Sequence, residues 1–548
     1  MVDPVNATLQ RTGFIRSKGK QLVDGDGRPL LLRGVGLGNW LLPEGYMWKF
    51  SGERGDRPRR IAQRIRELIG EEKAAQFWNT FYERYVTEDD VQRIAEEGYN
   101  SVRLPINAPF LLEETEGGCY IESHLRLIDQ FLDRCRAHGL YVVLDLHGAP
   151  GGQTGANIDD SVNDHPDLFT DPVQRKRTVD LWVMLAKRYK DDPIVAGYDL
   201  LNEPLPDHFS RYWDRLVPLY RELIAAIRQV DPHHMIIIEG AHWATNFSMI
   251  TEPLDDNMLL QFHKYWNAPD TESIQRYLDK GAELNVPLYM GEGGENNTEW
   301  YAGAFQLFED HGISWNFWPW KKLDTSNSPC SIRAPKGWEK IQAYVAGSGE
   351  HPGAETAEAI LWEYLDNVLI ENCEYRRDVV NSMLCRAPLR IAAPYYGFKG
   401  AGVDHAVVER HDHGAIPLRP ADGVAFGFAF ASADNVADFS SHGGAVRQPH
   451  TVMCAQLAAG EWLRYEFNVA AERAYGVVVC AAAAGAEPGA AALEVTLGDL
   501  GVSQAVAVEG DAWTDVVAME AAVLPAGKQH VVLKALHGSV KLQWVELV

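Results

Sequence analysis

The chain has 548 residues, more than a single hydrophobic core usually organises, so two or three domains are expected. Hydrophobic residues make up 46% of the chain and charged residues 23%, which is typical of soluble globular proteins. The formal net charge of −25 argues against nucleic acid or an anionic membrane as a partner, because both attract basic surfaces.

The N-terminal stretch, MVDPVNATLQRTGF, lacks the basic start and apolar centre of a signal peptide, and no run of about 20 apolar residues predicts a membrane helix. Seven widely spaced cysteines without a C-x-x-C pair favour free thiols over a disulfide framework or a zinc site. We therefore expect a protein that is either cytoplasmic or secreted with its leader removed, the thiols favouring the cytoplasm, and that needs no metal or cofactor.

Eight short apolar runs in the first part of the chain are typical of strands that are covered on both faces. In chain order they are LLLRGVGL from Leu30, NSVRLPI from Asn100, YVVLDLH from Tyr141, VAGYDLLN from Val195, HMIIIEG from His234, MLLQFHKYW from Met258, VPLYMGE from Val286 and ISWNFWPW from Ile313. Helical stretches lie between most of them, such as residues 123–139, with Ser123 as a predicted N-cap, and residues 171–190. This alternation predicts a (β/α)₈ TIM barrel over residues 1–346, with a doubly wound sheet as the alternative.

The rest of the chain changes character twice. Residues 347–393 are mostly helical in pattern, which predicts a helical linker or an appendage of the barrel. From residue 394 to 548, short runs rich in valine, alanine and phenylalanine alternate with Gly, Asp and Asn turns. This pattern predicts an all-β sandwich, or jelly-roll, domain.

Polar residues stand at the ends of six of the eight predicted strands. Active sites of TIM barrels lie at the carboxyl ends of the strands, and a barrel with only a structural role has no need to concentrate polar groups there. The residues, in chain order, are Arg103, His147, Asn202, Glu203, His263, Tyr265, Glu292 and Trp318.

Glu203 and Glu292 end the fourth and seventh strands, which face each other across a barrel mouth. Hydrolysis of an acetal needs two carboxyl groups, since one protonates the leaving oxygen and the other attacks the anomeric carbon or activates water. Glu295, three residues beyond Glu292, is an alternative nucleophile. Glu239, at the end of the fifth strand, is a further carboxylate without an assigned role.

Several of these residues also have a structural interpretation. Strand alternation places Trp318 and Trp320 on the same face, so either can form the floor of a sugar site. Half of the aromatic residues in the segment 38–50, a candidate pocket wall, are expected in the core. The other structural alternatives are an N-cap for Glu203, an ion pair for Arg103, and satisfied core histidines for His147 and His263.

Taken together, these motifs resemble glycoside hydrolase family 5, whose catalytic glutamates end strands four and seven. The resemblance covers about residues 12–345, and all eight positions that the family nearly always fills are filled. The matching segments are RLP from Arg103, DLHGAPGGQTG from Asp145, LLNEPL from Leu200, HKY from His263, GEG from Gly291 and FWPWK from Phe317.

The resemblance implies a role for each residue. Glu203 would be the acid/base and Glu292 the nucleophile of a retaining enzyme. The other implied roles are a hydrogen bond from Asn202 to the sugar 2-hydroxyl, support of an ionised Glu292 by Arg103 and Tyr265, tuning of Glu203 by His263, contact of His147 with the first sugar, and a stacking floor at Trp318.

The segment DLHGAPG-x-Q-x-G and the NEPL motif are most similar to the exo-β-1,3-glucanase branch of the family. They imply an exo-acting enzyme whose partner is a β-glucoside or a β-glucan oligosaccharide. The sequence GEGGEN replaces the more usual Gly-Glu-Trp type, which keeps β-mannosidase and furanosidase activity open as alternatives. Transglycosylation and a catalytically silent carbohydrate-binding scaffold are the remaining alternatives, and the sequence does not give the oligomeric state.

The C-terminal domain resembles carbohydrate-binding modules of family 6 or 35, on the segments GEWLRYEFNV, LPAGKQHVVLKA and LQWVELV. The resemblance implies sugar binding by exposed loop aromatics or a degenerate module that only packs on the barrel. It also implies a structural calcium ion, with Glu409 as a candidate ligand. The candidate stacking residues are Tyr395, Tyr396 and Phe398, whereas Trp462 and Trp544 are expected in the core.

Overall fold

The computed structural model describes residues 13–115, 118–411, 416–484 and 491–548, which form two compact units. The first unit consists of the chain up to His263 together with Tyr277–Gly293 and Ser314–Tyr375. The second consists of Lys264–Arg276, Gly294–Ile313 and Arg376–Val548. The predicted domain boundaries after residues 346 and 393 stay a prediction, and the prediction about a leader concerns residues 1–12, which lie outside the described residues.

A closed barrel of eight parallel strands dominates the first unit. Three short strands precede it and form a separate antiparallel sheet: β1 (Arg16–Lys18), β2 (Gln21–Val23) and β3 (Pro29–Leu30). The barrel strands are β4 (Arg33–Gly36), β5 (Ser101–Asn107), β6 (Tyr141–Gly148), β7 (Val195–Asp199), β8 (Met235–Glu239), β9 (Met258–His263), β10 (Leu288–Gly294) and β11 (Ser314–Trp318). They follow one another around the ring in chain order, which confirms the TIM barrel and excludes the doubly wound sheet.

In the described part of the chain, ten α-helices lie between the barrel strands and three follow the last of them. They are α1 (Pro58–Ile69), α2 (Glu71–Arg84), α3 (Glu88–Glu96), α4 (Ala108–Leu111), α5 (Glu122–Ala137), α6 (Pro172–Tyr189), α7 (Leu216–Arg228), α8 (Ala241–Ala244), α9 (Thr271–Leu284), α10 (Thr298–Asp310), α11 (Trp338–Ala346), α12 (Ala354–Asn367) and α13 (Arg377–Met383). The side chain of Asp171 caps α6 by accepting from the Val173 N–H. Helix α5 starts at Glu122, so the predicted N-cap at Ser123 is wrong.

The region predicted as a helical linker divides between the two units. Strands β12 (Lys321–Leu323), β13 (Cys330–Ile332) and β14 (Glu374–Tyr375) form a small sheet of the first unit. Helix α12 also belongs to the first unit and packs on α1 and α2. Helix α13 and strand β15 (Leu389–Ala392) belong to the second unit.

Two antiparallel sheets make up most of the second unit, which confirms the predicted β-sandwich. Besides β15, their strands are β16 (His405–Ala406), β17 (Ala425–Phe428), β18 (Met453–Ala458), β19 (Trp462–Val469), β20 (Arg473–Ala483), β21 (Ala491–Leu497), β22 (Val502–Val508), β23 (Thr514–Leu524), β24 (Gly527–His537) and β25 (Ser539–Leu547). Strand β15 pairs with β25, and the sheets have the orders β17-β18-β25-β20-β23 and β16-β19-β24-β21-β22. Helix α10 also belongs to this unit and packs on α13 and β15.

The aromatic residues proposed for sugar stacking in the sandwich are buried. Tyr395, Tyr396 and Phe398 are 2%, 0% and 7% exposed, so their prediction as exposed stacking residues is wrong. Trp462 and Trp544 are half-buried, and the Arg390 guanidinium lies 3.9 Å from the centre of the Trp544 ring. Binding of sugar or calcium by the sandwich stays a prediction.

The cysteines are free thiols, of which six are buried and Cys119 is exposed. In the described part of the chain, every helix is too short or too polar to span a lipid bilayer.

Candidate active site

The polar strand ends converge at the carboxyl end of the barrel. A strand alternates its side chains between two faces, so residues two apart, such as Asp145 and His147 on β6, point to the same side. The residues that the structure brings together are Arg103, Asp145, His147, Asp199, Asn202, Glu203, Glu239, Gln261, His263 and Glu292.

Arg103 on β5 is the fully buried centre of this network. Its Nε donates to Asp199 at 2.9 Å, its Nη1 to Glu292, and its Nη2 to the Asn202 Oδ1 at 2.9 Å and to Glu239 at 3.0 Å. Burial acts to lower the pKa of Arg103, but the surrounding carboxylates raise it well above its usual value. The guanidinium is therefore a fixed positive charge at the base of the site.

The two predicted catalytic glutamates lie close to each other and to a histidine. Single ligand atoms of Glu203, His263 and Glu292 all lie within 4.8 Å of one another. The His263 Nδ1 is 2.6 Å from the Glu203 Oε1 and 3.5 Å from the Glu292 Oε2. Burial raises the pKa of Glu292, whereas the positive charges of His263 and Arg103 act to lower it.

This arrangement also has the spacing of a metal site. The Arg103 Nη1 donates to Glu292, and the His263 Nδ1 lies within hydrogen-bonding distance of Glu203. Burial acts to lower the pKa of His263, but Glu239, Glu292 and Glu203 raise it well above its usual value. We interpret the three groups as an acid–base site, because these contacts are the ones that proton transfer to and from a carboxyl group requires.

The pKa of His147 on β6 is shifted in the opposite direction to that of His263. Its Nδ1 lies 2.7 Å from the Asp145 Oδ2, and the Asn202 amide nitrogen donates to its Nε2 at 3.2 Å. Burial lowers the pKa of His147 to about 4. These contacts fit a neutral imidazole with its proton on Nδ1.

The contacts of the tryptophans on and after β11 show which of them lies beside the polar strand ends. Trp318, at the end of β11, lies parallel to the ring of His147, and its Nε1 donates to the Tyr46 hydroxyl at 2.9 Å. Trp320 instead donates to Asp90 on helix α3, and Trp315 is fully buried. Trp318, and not Trp320, therefore adjoins the other polar strand ends.

A loop conformation places Glu203 after the end of β7. Glu203 has φ +45° and Leu205 φ +50°, in the left-handed region that non-glycine residues rarely adopt. The Gln153 amide nitrogen donates to the main-chain oxygens of His147 and Asn202, at 2.6 and 2.9 Å. Gln153 thereby ties the end of β6 to the segment that carries Glu203.

Two residues named from the sequence lie in the second unit. The Tyr265 ring is 5.2 Å from the Trp266 ring, and its carbonyl accepts from the Asn296 side chain. The Glu295 carbonyl accepts from the Trp266 Nε1. The role of Tyr265 toward Glu292 stays a prediction.

Sequence reasoning missed three buried partners of Arg103 and His263. Asp145, Asp199 and Gln261 are fully buried, and the Gln261 Nε2 donates to Asp199 at 2.9 Å. Each is a polar residue in an otherwise apolar barrel strand, two to four positions before a predicted site residue. That interruption of the apolar pattern is the signal that could have identified them.

Comparisons with known proteins identify the family of the chain. Residues 68–324 match the model of the cellulase family, glycosyl hydrolase family 5. A β-xylosidase of Phanerodontia chrysosporium is 32% identical over 254 residues, 46% of this chain and 52% of that protein, so the chain spans about half the length of this relative.

Two further relatives are named for other activities. Endoglucanase C of Acetivibrio thermocellus is 34% identical over 310 residues, which cover 45% of this chain and 88% of that protein. A probable glucan 1,3-beta-glucosidase A of Emericella nidulans is 32% identical over 282 residues, 48% of this chain and 66% of that protein. The chain belongs to glycosyl hydrolase family 5 and is a glycoside hydrolase.

Proposed function

We propose that the protein hydrolyses β-linked glucosides or β-glucan oligosaccharides with retention of anomeric configuration, acting from chain ends. The observation that carries the mechanism is the approach of Glu203 and Glu292, whose nearest ligand atoms lie within 4.8 Å. Retaining enzymes hold their two carboxyl groups about 5–5.5 Å apart, whereas inverting enzymes leave about 6.5–9.5 Å for a water molecule.

Glu292 is the nucleophile in this proposal. Arg103 and His263 favour its ionised form, and its carboxylate attacks the anomeric carbon as the bond to the leaving oxygen breaks. Glu203 gives its proton to that oxygen, and the product alcohol departs. Glu203 then removes a proton from water, whose oxygen attacks the anomeric carbon and releases Glu292 from the glycosyl ester.

The neighbouring groups bind the sugar. The Asn202 amide is held between Arg103 and His147, so that it is preset to contact the 2-hydroxyl. His147 lies parallel to Trp318, which supplies an aromatic face for the sugar ring.

The choice of a β-glucoside rests on the glucan 1,3-beta-glucosidase relatives and on the DLHGAPG and NEPL motifs. The β-xylosidase and endoglucanase relatives show that the glycone and the mode of attack vary among similar proteins. A panel of aryl β-glucoside, β-mannoside, β-xyloside and furanoside substrates beside laminarin and cello-oligosaccharides separates the alternatives. Inactivity on all of them would favour a silent carbohydrate-binding scaffold.

Two measurements test the mechanism directly. Proton NMR of the first-formed product should show the β-anomer before mutarotation. A 2-deoxy-2-fluoro aryl glycoside should inactivate the enzyme, and mass spectrometry should place the sugar on the peptide that carries Glu292. The matched control is Glu292→Gln, which should not become labelled. Initial release of the α-anomer would refute the retaining mechanism.

A further inference from the structure

Glu239, the last residue of β8, is a buried carboxylate to which the proposed mechanism assigns no step. Its Oε1 accepts from the Arg103 Nη2 at 3.0 Å and from the Gln261 Nε2. Its Oε2 accepts from the main-chain N–H of Glu203 at 2.7 Å, and the His263 Nε2 lies 3.4 Å from Oε1. The Glu239 side chain thus contacts both the main chain of Glu203 and the His263 ring, which in turn contacts the Glu203 carboxyl group.

The bond to the Glu203 main chain supports an unusual backbone. A non-glycine residue at φ +45° is sterically disfavoured and persists only where its surroundings hold it. The Glu239 Oε2 satisfies the N–H of this residue, so the carboxylate fixes the direction in which the Glu203 side chain leaves the chain.

His263 bridges Glu239 and Glu203. The two hydrogens of the Gln261 amide nitrogen point to Asp199 and Glu239, so the His263 Nε2 is left to donate to Glu239. The His263 Nδ1 lies 2.6 Å from the Glu203 Oε1, and when it donates to that oxygen the imidazole donates from both nitrogens and is positively charged.

The charges around His263 are consistent with this state. The titratable groups that face it or its partners are Glu203, Glu239, Glu292, Asp145, Asp199, His147 and Arg103. Burial raises the pKa of Asp145 to about 8 and that of Asp199 well above its usual value. Burial also acts to raise the pKa of Glu239, but His263, Arg103 and the Glu203 N–H lower it, so Glu239 keeps its charge.

We propose that Glu239 is a positioning residue that holds His263 as an imidazolium and the Glu203 main chain in its left-handed conformation, and thereby sets the protonation of the acid/base without touching the sugar. This inference rests on the proposed function of Glu203. Removal of the negative charge weakens proton binding by the Glu203–His263 pair. The basic limb of the pH profile must therefore move to lower pH.

The test is the pH dependence of kcat/KM for an aryl glycoside in wild type, Glu239→Gln and Glu239→Asp. We expect Glu239→Gln to lower kcat by about 10- to 100-fold, in the range of residues that support a functional group through hydrogen bonds, with little change in KM. Its basic limb should move down by about one pH unit or more. Glu239→Asp, which keeps the charge, should keep the wild-type limb.

Asp231→Asn is the matched control, because Asp231 is a buried carboxylate paired with a different histidine, His234, at 2.6 Å. The basic limb of the pH profile of this variant should be the same as in wild type. If Glu239→Gln does not fold, NMR of ¹⁵N-histidine-labelled wild type, assigned with His263→Asn, decides the question. A charged His263 at pH 7 supports the proposal, and a neutral one overturns it.

The outcomes separate this inference from the function on which it rests. An enzyme that hydrolyses with retention, but whose basic limb is the same in wild type and Glu239→Gln, would overturn the role of Glu239 alone. A wild-type protein that is inactive on the whole substrate panel, or that inverts, would overturn the proposed function first.

Discussion

The ring of His147 lies parallel to the ring of Trp318, with 5.3 Å between the centroids and 3° between the planes. The Trp318 Nε1 bond to Tyr46 and the His147 bond to Asp145 hold the two rings in place. A Cβ on Gly38 would come within 2.7 Å of the Trp318 ring, so this close approach requires glycine. The pair is thus a fixed stack of two rings, His147 2% and Trp318 3% exposed, beside the proposed catalytic glutamates.

Replacement of Trp318 by alanine should therefore weaken sugar binding. Loss of an aromatic contact of about 0.5–1.5 kcal/mol, together with a less fixed His147, should raise KM for an aryl glycoside by roughly tenfold. Trp315→Ala is the matched control on the same strand, since that side chain is fully buried in the core. It should lower the melting temperature through a cavity and leave KM unchanged. Equal effects of both variants on KM would contradict a binding role for Trp318.

The two proposed catalytic glutamates should respond differently to the leaving group. Glu203→Gln removes the proton donor, so hydrolysis of alkyl glycosides should fall by about 10³-fold or more, whereas activated nitrophenyl glycosides, which leave without protonation, should be affected far less in the glycosylation step. Steady-state and pre-steady-state rates on the two substrate types measure the contrast.

Glu292→Gln should instead abolish turnover of both substrate types, because no ester can form. Circular dichroism should show the wild-type fold for both variants. A Glu292 variant that retains near-normal activity on either substrate would remove the assignment, and Glu295→Gln would then be the next variant to assay.

The barrel and most of the site follow from the sequence because both depend on local pattern. Apolar runs at regular intervals predict the eight strands, and polar residues at the ends of those runs predict the site. The network behind the site does not follow so easily. Asp199 and Gln261 lie within apolar runs, and only the closed barrel brings them beside Arg103.

The sequence also could not predict that two segments between barrel strands belong to the second unit. Residues 264–276 and 294–313 lie at and after the ends of β9 and β10, and they contain the start of α9 and the whole of α10, as the connections of any barrel would. They cluster with the sandwich through contacts far apart in the chain, such as the bond from the Asn296 side chain to the Phe439 carbonyl. Such contacts leave no periodic trace in a single sequence.

Asp231 offers a prediction about stability that is independent of catalysis. Burial acts to raise its pKa, but hydrogen bonds from His234 and Tyr198 lower it well below its usual value of 3.8. A carboxylate whose pKa is lower in the folded state contributes stability above its unfolded pKa and loses it as the pH falls. Asp231→Asn should therefore cost about 3 kcal/mol at pH 7.

Differential scanning calorimetry of wild type and Asp231→Asn between pH 7 and pH 3 measures this effect. The gap between their melting temperatures should narrow as the pH drops below about 4. Tyr198→Phe is the control, since it removes one hydrogen bond and keeps the charge. A gap that stays constant across the pH range would show that the ionised carboxylate does not stabilise the fold.

Deletion of residues 394–548 should give insoluble protein and not a free-standing catalytic domain. Residues 300–308 of α10 are all buried, and within the second unit Gly303 packs against Tyr395, since a Cβ there would lie 2.8 Å from the tyrosine ring. The deletion also removes Arg447, which pairs with Glu299 at 2.9 Å. Strand β15 would lose its partner β25, so an apolar helix and a strand edge would both be uncovered.

Solubility and aryl-glycosidase activity of the truncated chain decide this prediction. Coexpression with a separate polypeptide of residues 394–548 is the control and should restore soluble protein, because it returns the missing contacts to α10 and β15. A truncated chain that is soluble alone and retains activity within a few-fold would show that the sandwich is an accessory, and that α10 does not need the packing of the second unit to fold.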